Sequence, residues 1–315
     1  MNRILVIRGG AIGDFILALP AIKLLRDAHP SSHLEILGSE PIIALAENRF
    51  YADATRSLED AALSRFFWNG ADLPEALVQY FGSFDLIVSY LFDPDGTFAA
   101  NLRRCGTFEF LVGPAKANDL EHAALQLAAP LAALGLHLCD RSAKLFPSSA
   151  DRVAAREFIA PFRAPIIAIH PGSGSEAKNW PIERWEELGT KLLDRSREFS
   201  MIVFGGEADG KKLEALRRTL PPDRAKFAQD LPLPTVAAIA EACALFIGHD
   251  SGISHLAAAV GTPALLLFGP TDPRIWAPTN ANVRVLPSPT KDLRDLPIAE
   301  VECAAYELMR IGMST

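Results

Sequence analysis

The stretch Asp250-Ser251-Gly252-Ile253-Ser254-His255 carries the side chains best suited to chemistry in this chain. The apolar run before it, Ala244–Ile247, reads as a buried strand. Asp250 or Ser251 can then cap a helix by accepting a hydrogen bond from an amide two or three residues on. That helix is predicted over 252–260 and stops at Gly261, followed by a second buried strand at Ala264–Phe268. A free helix N-terminus offers unpaired amides and a partial positive charge. Gly252 lets an anion approach the backbone, and His255, one turn in, can add a donor. The stretch reads as a diphosphate cradle, although a capping Asp and a solvated His need no ligand at all.

Other candidates lie on loops after predicted strands. The segment His170-Pro171-Gly172-Ser173-Gly174-Ser175-Glu176-Ala177-Lys178 follows the run Ile166–Ile169. Lys178 can reach an anion from this loop or be an ordinary solvated lysine. Glu207 follows Gly205-Gly206, where it can accept from ribose hydroxyls or simply start a helix. Near the amino terminus, Arg8-Gly9-Gly10-Ala11-Ile12-Gly13-Asp14 follows the strand Ile4–Ile7. Asp14 at a helix start is either an N-cap or a base, since the helix dipole favours its ionised form. The glycine spacing is not that of a dinucleotide fingerprint, which argues against a dehydrogenase.

Continuous apolar runs alternating with helical patterns are what position these loops. They predict strands at 4–7, 34–37, 85–90, 108–112, 166–169, 201–204, 244–247 and 264–268, and a helix at 121–136 kinked by Pro130. Such alternation specifies an α/β fold with doubly wound parallel sheets, whose ligands bind at the carboxyl ends of the strands. At 315 residues the chain is long enough for two cores, and the pattern lapses into a polar segment around 139–149. The expected domains are 1–148 and 149–297, with a closing helical segment at 298–315.

Composition narrows the partners. With 31 basic and 38 acidic residues the net charge is −7, which argues against nucleic acid. Cys105, Cys139, Cys243 and Cys303 lie far apart in no metal-binding spacing, so they read as free thiols in a reducing compartment. Asp93-Pro94-Asp95 is the nearest thing to a metal-ligand pair and reads better as a strand-end turn; no metal is expected. No apolar run is long enough to span a membrane. Met1-Asn2-Arg3 leads straight into a strand, leaving no secretory signal. The expected location is cytoplasmic, or peripheral at the inner membrane surface.

The sequence resembles the ADP-heptose:lipopolysaccharide heptosyltransferases, glycosyltransferase family 9. Gly13-Asp14 with Pro20 and Leu25-Arg26 is similar to the family's N-terminal pattern, and His170-Pro171-Gly172 through Lys178, Trp180-Pro181 and Trp185 to its central motif. Gly206-Glu207 resembles its ribose-binding turn. Asp250-Ser251-Gly252 with Ser254-His255, followed by Phe268-Gly269-Pro270-Thr271-Asp272-Pro273, resembles its most specific signature. The resemblance implies a GT-B architecture of two Rossmann-like domains facing across a cleft, with the last helix packing back on the first. It implies inverting, metal-independent transfer of a sugar, heptose from ADP-heptose, to a lipopolysaccharide-core or related glycan, with no cofactor. Asp14 matches the catalytic base and Lys178 the phosphate contact. Ser173 matches a hydroxyl facing the donor, Glu207 the ribose contact and Leu231 the apolar residue against the base. Asp250, Ser251, Gly252 and His255 match the diphosphate and sugar site. A nucleotide-sugar epimerase or hydrolase of the same architecture, or a family member with another donor sugar, is the alternative. The loops Arg8–Ala11 and Ser89–Asp93 depart from the family pattern, both on the acceptor side.

Overall fold

The computed structural model describes residues 1–160, 162 and 165–312, with 311 and 312 described by backbone alone. The chain divides into two compact units, Met1–Arg141 and Ser142–Thr315. The division falls inside the polar segment where the alternation of strand and helix lapses.

The first unit is built on a five-stranded sheet. Its strands are β1 (Arg3–Arg8), β2 (His33–Gly38), β3 (Ala54–Ser57), β4 (Leu86–Ser89) and β5 (Glu109–Val112), in the order β3-β2-β1-β4-β5. Every pairing is parallel. Ile4, Leu5, Val6 and Ile7 on the central strand are fully buried, because helices cover both faces of a parallel sheet. The core on one face gathers Leu5, Ile7, Leu37, Phe66, Phe81, Ile87 and Phe98.

The second unit has six parallel strands: β6 (Ile166–His170), β7 (Ser200–Gly205), β8 (Ala225–Gln229), β9 (Leu245–His249), β10 (Ala264–Phe268) and β11 (Val283–Pro287). Their order is β11-β10-β9-β6-β7-β8, so the chain winds outward from β6 to β8 and then restarts beside β6 at β9. In the first unit the same reversal lies between β1 and β4. Crevices for ligands open at such reversals, where the connections leave in opposite directions.

Three edge strands escaped the sequence pattern. β3, β8 and β11 carry Arg56, Lys226 and Arg284 within them, and an edge strand needs no unbroken apolar run. The helix expected across 121–136 is two elements, an α-helix Ala123–Ala128 and a 3₁₀-helix Ala129–Leu134 with Pro130 in its first turn. Proline cannot donate the amide that the α-helix would need there.

The closing helix Ile298–Gly312 packs within the second unit. Val301, Ala304, Ala305 and Met309 belong to the core that includes Trp185, Leu188, Ile247 and Leu265, and the helix packs on the helix Ile182–Arg195 and on β9 and β10. Its buried face therefore serves the second unit. Residues 313–315 of that segment lie outside the described residues. Val301→Asp would bury an unpaired carboxylate in this core, and should cost more than about 3 kcal/mol of stability. Urea unfolding measures it; a loss below about 1 kcal/mol, the ordinary effect of a surface change, would mean the helix is not part of the core.

Candidate functional site

The reversal between β6 and β9 delivers two loops side by side. The register pairs His170 with Gly248, so both strands end at one level and their next residues leave the sheet together. From the β6 loop, Lys178 Nζ donates to Asp250 Oδ2 at 2.6 Å, and Thr271 Oγ1 donates to the same oxygen at 2.8 Å. Asp250 is nearly buried, while the Lys178 side chain keeps about three-tenths of its surface exposed. Both are candidates from the sequence, and the structure brings them together as an ion pair. Thr271 has no assigned role in the sequence reading, although it stands in the Phe268–Pro273 motif. The carboxylate takes donors from an ammonium and a hydroxyl, which offsets part of the cost of burying it.

Ser251 caps the helix Gly252–Ala259, accepting from Ser254 N at 3.3 Å. His255 N bonds back to Ser251 O at 3.2 Å. Among the described residues no protein group takes the amides of Gly252 and Ile253, at the half-buried tip of the helix. Two donors and the positive end of the helix dipole therefore point outward beside Lys178. The Ser251 hydroxyl points inward: its Oγ lies 3.2 Å from His170 Nδ1 and 3.1 Å from Ser254 Oγ. His255 is buried in the first turn.

Two histidines fix these loops from below. His249, the last residue of β9, is fully buried. Its Nε2 accepts from Trp180 N at 2.8 Å, so the neutral ring carries its proton on Nδ1, which faces Gly172 O at 3.4 Å. Burial pushes the imidazole down to about 3, with the Gly172 carbonyl opposing. The ring therefore stays neutral and pins both ends of the 171–180 loop. Trp185 packs edge-on to it, and Trp180 edge-on to Trp185. His170, the last residue of β6, touches Ser251 as above and puts Nε2 3.5 Å from Asp209 Oδ2. Each histidine ends an apolar run, where a parallel strand delivers its last side chain to the rim; that was the available signal. Asp209 had none.

The remaining candidates spread along the rim. Ser173 Oγ lies 2.8 Å from Ser175 O and 2.7 Å from Asn179 Oδ1, so its hydroxyl is engaged within its own loop. Glu207 is exposed at the start of the 3₁₀ turn Glu207–Asp209 after β7. Leu231, half-buried, follows β8 and the positive-φ residue Asp230.

Asp14 belongs to the first unit, on the loop after β1 at that sheet's own reversal. Its Oδ2 accepts from Ala11 N at 3.0 Å: the N-cap of the helix Ile12–Ala28 is Ala11, and Asp14 reaches back to its amide from the helix's third position. Its Oδ1 lies 3.5 Å from Arg8 Nη2, and about a third of the side chain is exposed. Arg8 is buried; its guanidinium holds the carbonyls of Asp14 and Ala115. Burial pulls the Arg8 pKa below its ordinary value, with Asp14 and Tyr90 opposing. Gly10 has φ 98°, and a Cβ there would come within 2.9 Å of Asp14 Oδ2. Asp93, as its position suggested, ends a strand-end turn: it caps the helix Thr97–Arg103 through the amides of Phe98 and Ala99.

Two parallel α/β units, each with candidate side chains at its reversal, define the GT-B class of architecture. Over 98% of this chain and 97% of the other, the fold matches a glycosyl transferase family 9 structure from Veillonella parvula at a TM-score of 0.79 and 21% identity. A second match, at 0.77 and 17% identity over 98% of both chains, is the Escherichia coli ADP-heptose lps heptosyltransferase II. In sequence, lipooligosaccharide heptosyltransferase 2 of Haemophilus influenzae is 31% identical over 128 residues, which is 39% of this chain and 36% of that protein. The chain thus spans about a third of the length of that relative. Residues 118–302, more than half of the chain, match the family profile described as glycosyltransferase family 9 (heptosyltransferase). The chain belongs to glycosyltransferase family 9.

The neutral His249 has a consequence for stability. The unfolded chain takes up its proton near the ordinary histidine value of about 6.5, whereas the fold holds it off until about 3. Stability therefore falls as pH drops through 6.5 and levels off below about 3, at up to about 1.4 kcal/mol per pH unit from this residue. His249→Gln, which keeps an acceptor toward Trp180 N, should flatten the curve between pH 6.5 and 4.5. Parallel curves for the two proteins would show that the ring titrates freely in the fold.

Proposed function

We propose that the chain transfers a heptose from ADP-heptose to a lipopolysaccharide-core or related glycan, inverting the anomeric centre and using no metal. One observation carries this reading: in a family 9 chain, Lys178, Asp250 and Thr271 meet beside the open amides of Gly252 and Ile253 at the reversal of the second sheet. A nucleotide sugar leaves behind a diphosphate whose bridging oxygen gains charge as the sugar departs. Donors fixed where that charge develops stabilise the transition state more than the ground state. Lys178, the two amides and His255 fill that role. Asp250, neutralised by Lys178, can accept from a sugar hydroxyl without repelling the phosphates. Glu207 takes the ribose hydroxyls, Leu231 packs against the base, and Ser173 and Ser251 shape the donor loops.

Inversion in one step needs a base to take the acceptor's proton as the hydroxyl attacks. Asp14 is that base. Ala11 N occupies one carboxylate oxygen, and Oδ1, 3.5 Å from Arg8 Nη2, is left to the substrate. The acceptor is a glycan carried on a lipid, so the reaction is placed on the cytoplasmic side at the membrane surface. No described helix is long and apolar enough to cross a membrane, and the four cysteines are free. Among the described residues no group of three or more His, Cys, Asp or Glu could hold a metal ion.

Two substitutions separate the roles. Asp14→Asn should lower the transfer rate by about 10²–10⁴-fold, the usual cost of a lost general base, with ADP affinity kept. Lys178→Ala should instead weaken ADP binding by about 1.5–3 kcal/mol, or roughly 10–150-fold, because it removes a charged donor. Calorimetry with ADP and steady-state kinetics measure both. Collapse of ADP affinity in Asp14→Asn, or full affinity in Lys178→Ala, would reverse the assignments.

Turnover should also survive excess EDTA, since protein donors carry the diphosphate. Complete loss in chelator, restored by stoichiometric divalent metal, would refute this account of leaving-group stabilisation.

A further inference from the structure

We propose that Asp209 is a positioning residue of the nucleotide-sugar site, locking the loops after β6, β7 and β9 into one floor without touching substrate. The proposal rests on the transferase reading above.

Asp209 ends the 3₁₀ turn that begins with Glu207, and an acid there would ordinarily do no more than cap the next helix. Its surroundings are different. It is buried, and its Oδ2 accepts from Gly206 N at 3.0 Å, which fixes the turn that presents Glu207. The same oxygen faces His170 Nε2 at the end of β6. Its other oxygen fills the space over Gly172: a Cβ built there would lie 1.9 Å from Asp209 Oδ1 and 2.5 Å from its Cγ. The loop that carries Ser173 and Lys178 therefore starts with its backbone pressed onto this carboxylate.

His170 passes the contact on. Burial alone would raise the Asp209 pKa, but His170 and the Gly206 amide outweigh it and hold the carboxyl below its ordinary value. With an Nε2 proton directed at the carboxylate, His170 in its neutral tautomer leaves Nδ1 to accept from Ser251 Oγ, 3.2 Å away. The Ser254 hydroxyl donates to His249 O, so it makes no demand on Ser251 as an acceptor for its proton. Ser251 thus turns its hydroxyl toward His170 and stays as the cap of the helix whose amides face the ligand. One buried carboxylate sets the Glu207 turn, the start of the Lys178 loop and, through His170, the cap at Ser251. Positions held this way need no reordering when a diphosphate arrives, which saves affinity otherwise spent on ordering the loops.

The test uses the full chain, with ADP calorimetry and kinetics in nucleotide sugar and acceptor. Asp209→Ser keeps a short acceptor for the Gly206 amide but cannot reach His170 or Gly172. It should weaken ADP by about tenfold and raise KM for the nucleotide sugar, leaving KM for the acceptor unchanged. Asp209→Asn keeps an acceptor toward both partners and should stay within about threefold of the parent. Gly172→Ala should reproduce the Asp209→Ser loss, because its methyl displaces the carboxylate. The double variant Gly172→Ala/Asp209→Ser should be no worse than Asp209→Ser alone, since the obstructing group is gone. Full ADP affinity in Asp209→Ser, or independent losses that multiply in the double variant, would overturn the proposal. If the parent chain itself binds no nucleotide diphosphate, the transferase reading fails first and takes this proposal with it.

Discussion

The parallel pairing of β6 with β9 is the constraint on which the second unit's site depends. These strands are neighbours in the sheet although 77 residues lie between Ile169 and its partner Ile247, a span that includes two complete strand–helix excursions. Pairing them puts His170 and His249 at the same end of the sheet. Their loops leave in opposite directions, and the gap between them cannot be filled by either connection. Everything polar in the site collects in or beneath that gap: Lys178 from one side, Asp250 and the helix tip from the other, Thr271 from the loop after β10.

Building polar chemistry there means burying groups that prefer water, and the unit handles each by a different route. Asp250 is paired: an ammonium and a hydroxyl share one of its oxygens. His249 gives up its charge, and its two ring nitrogens tie the loop's backbone in place. Asp209 stays ionised on a backbone amide and a histidine. An unpaired polar group at such depth would cost more than most single interactions return. The satisfied network is also rigid, and rigidity is what a site needs if its donors are to act on charge that appears only in the transition state.

The first unit solves a smaller version of the same problem. Buried Arg8 ends β1 and holds the main-chain carbonyls of Asp14 and Ala115, so the loop carrying Asp14 is braced by a cation that never reaches the surface. Gly10 leaves room for the carboxylate to fold back on Ala11. At Asp14 the bond to Ala11 N uses one oxygen and leaves the other beside the guanidinium.

The sequence by itself determined the parallel α/β class, the strands at the centre of each sheet and the loops that carry Asp14, Lys178, Glu207 and Asp250. The reason is local: a strand covered on both faces must be apolar throughout, and a loop after it must carry turn and cap residues. Edge strands such as Ala225–Gln229 have no such requirement and left no trace. Neither did the partners of the candidate side chains. That Lys178 meets Asp250, that Asp209 fills the space over Gly172, and that Ser251 turns inward to His170 all depend on contacts between loops distant in sequence. The closing helix is the same case, since its apolar face would fit any core and only packing set it against Trp185, Ile247 and Leu265. Long-range pairing decided these points, because the energy of a buried polar contact depends on its partner, and sequence spacing does not name the partner.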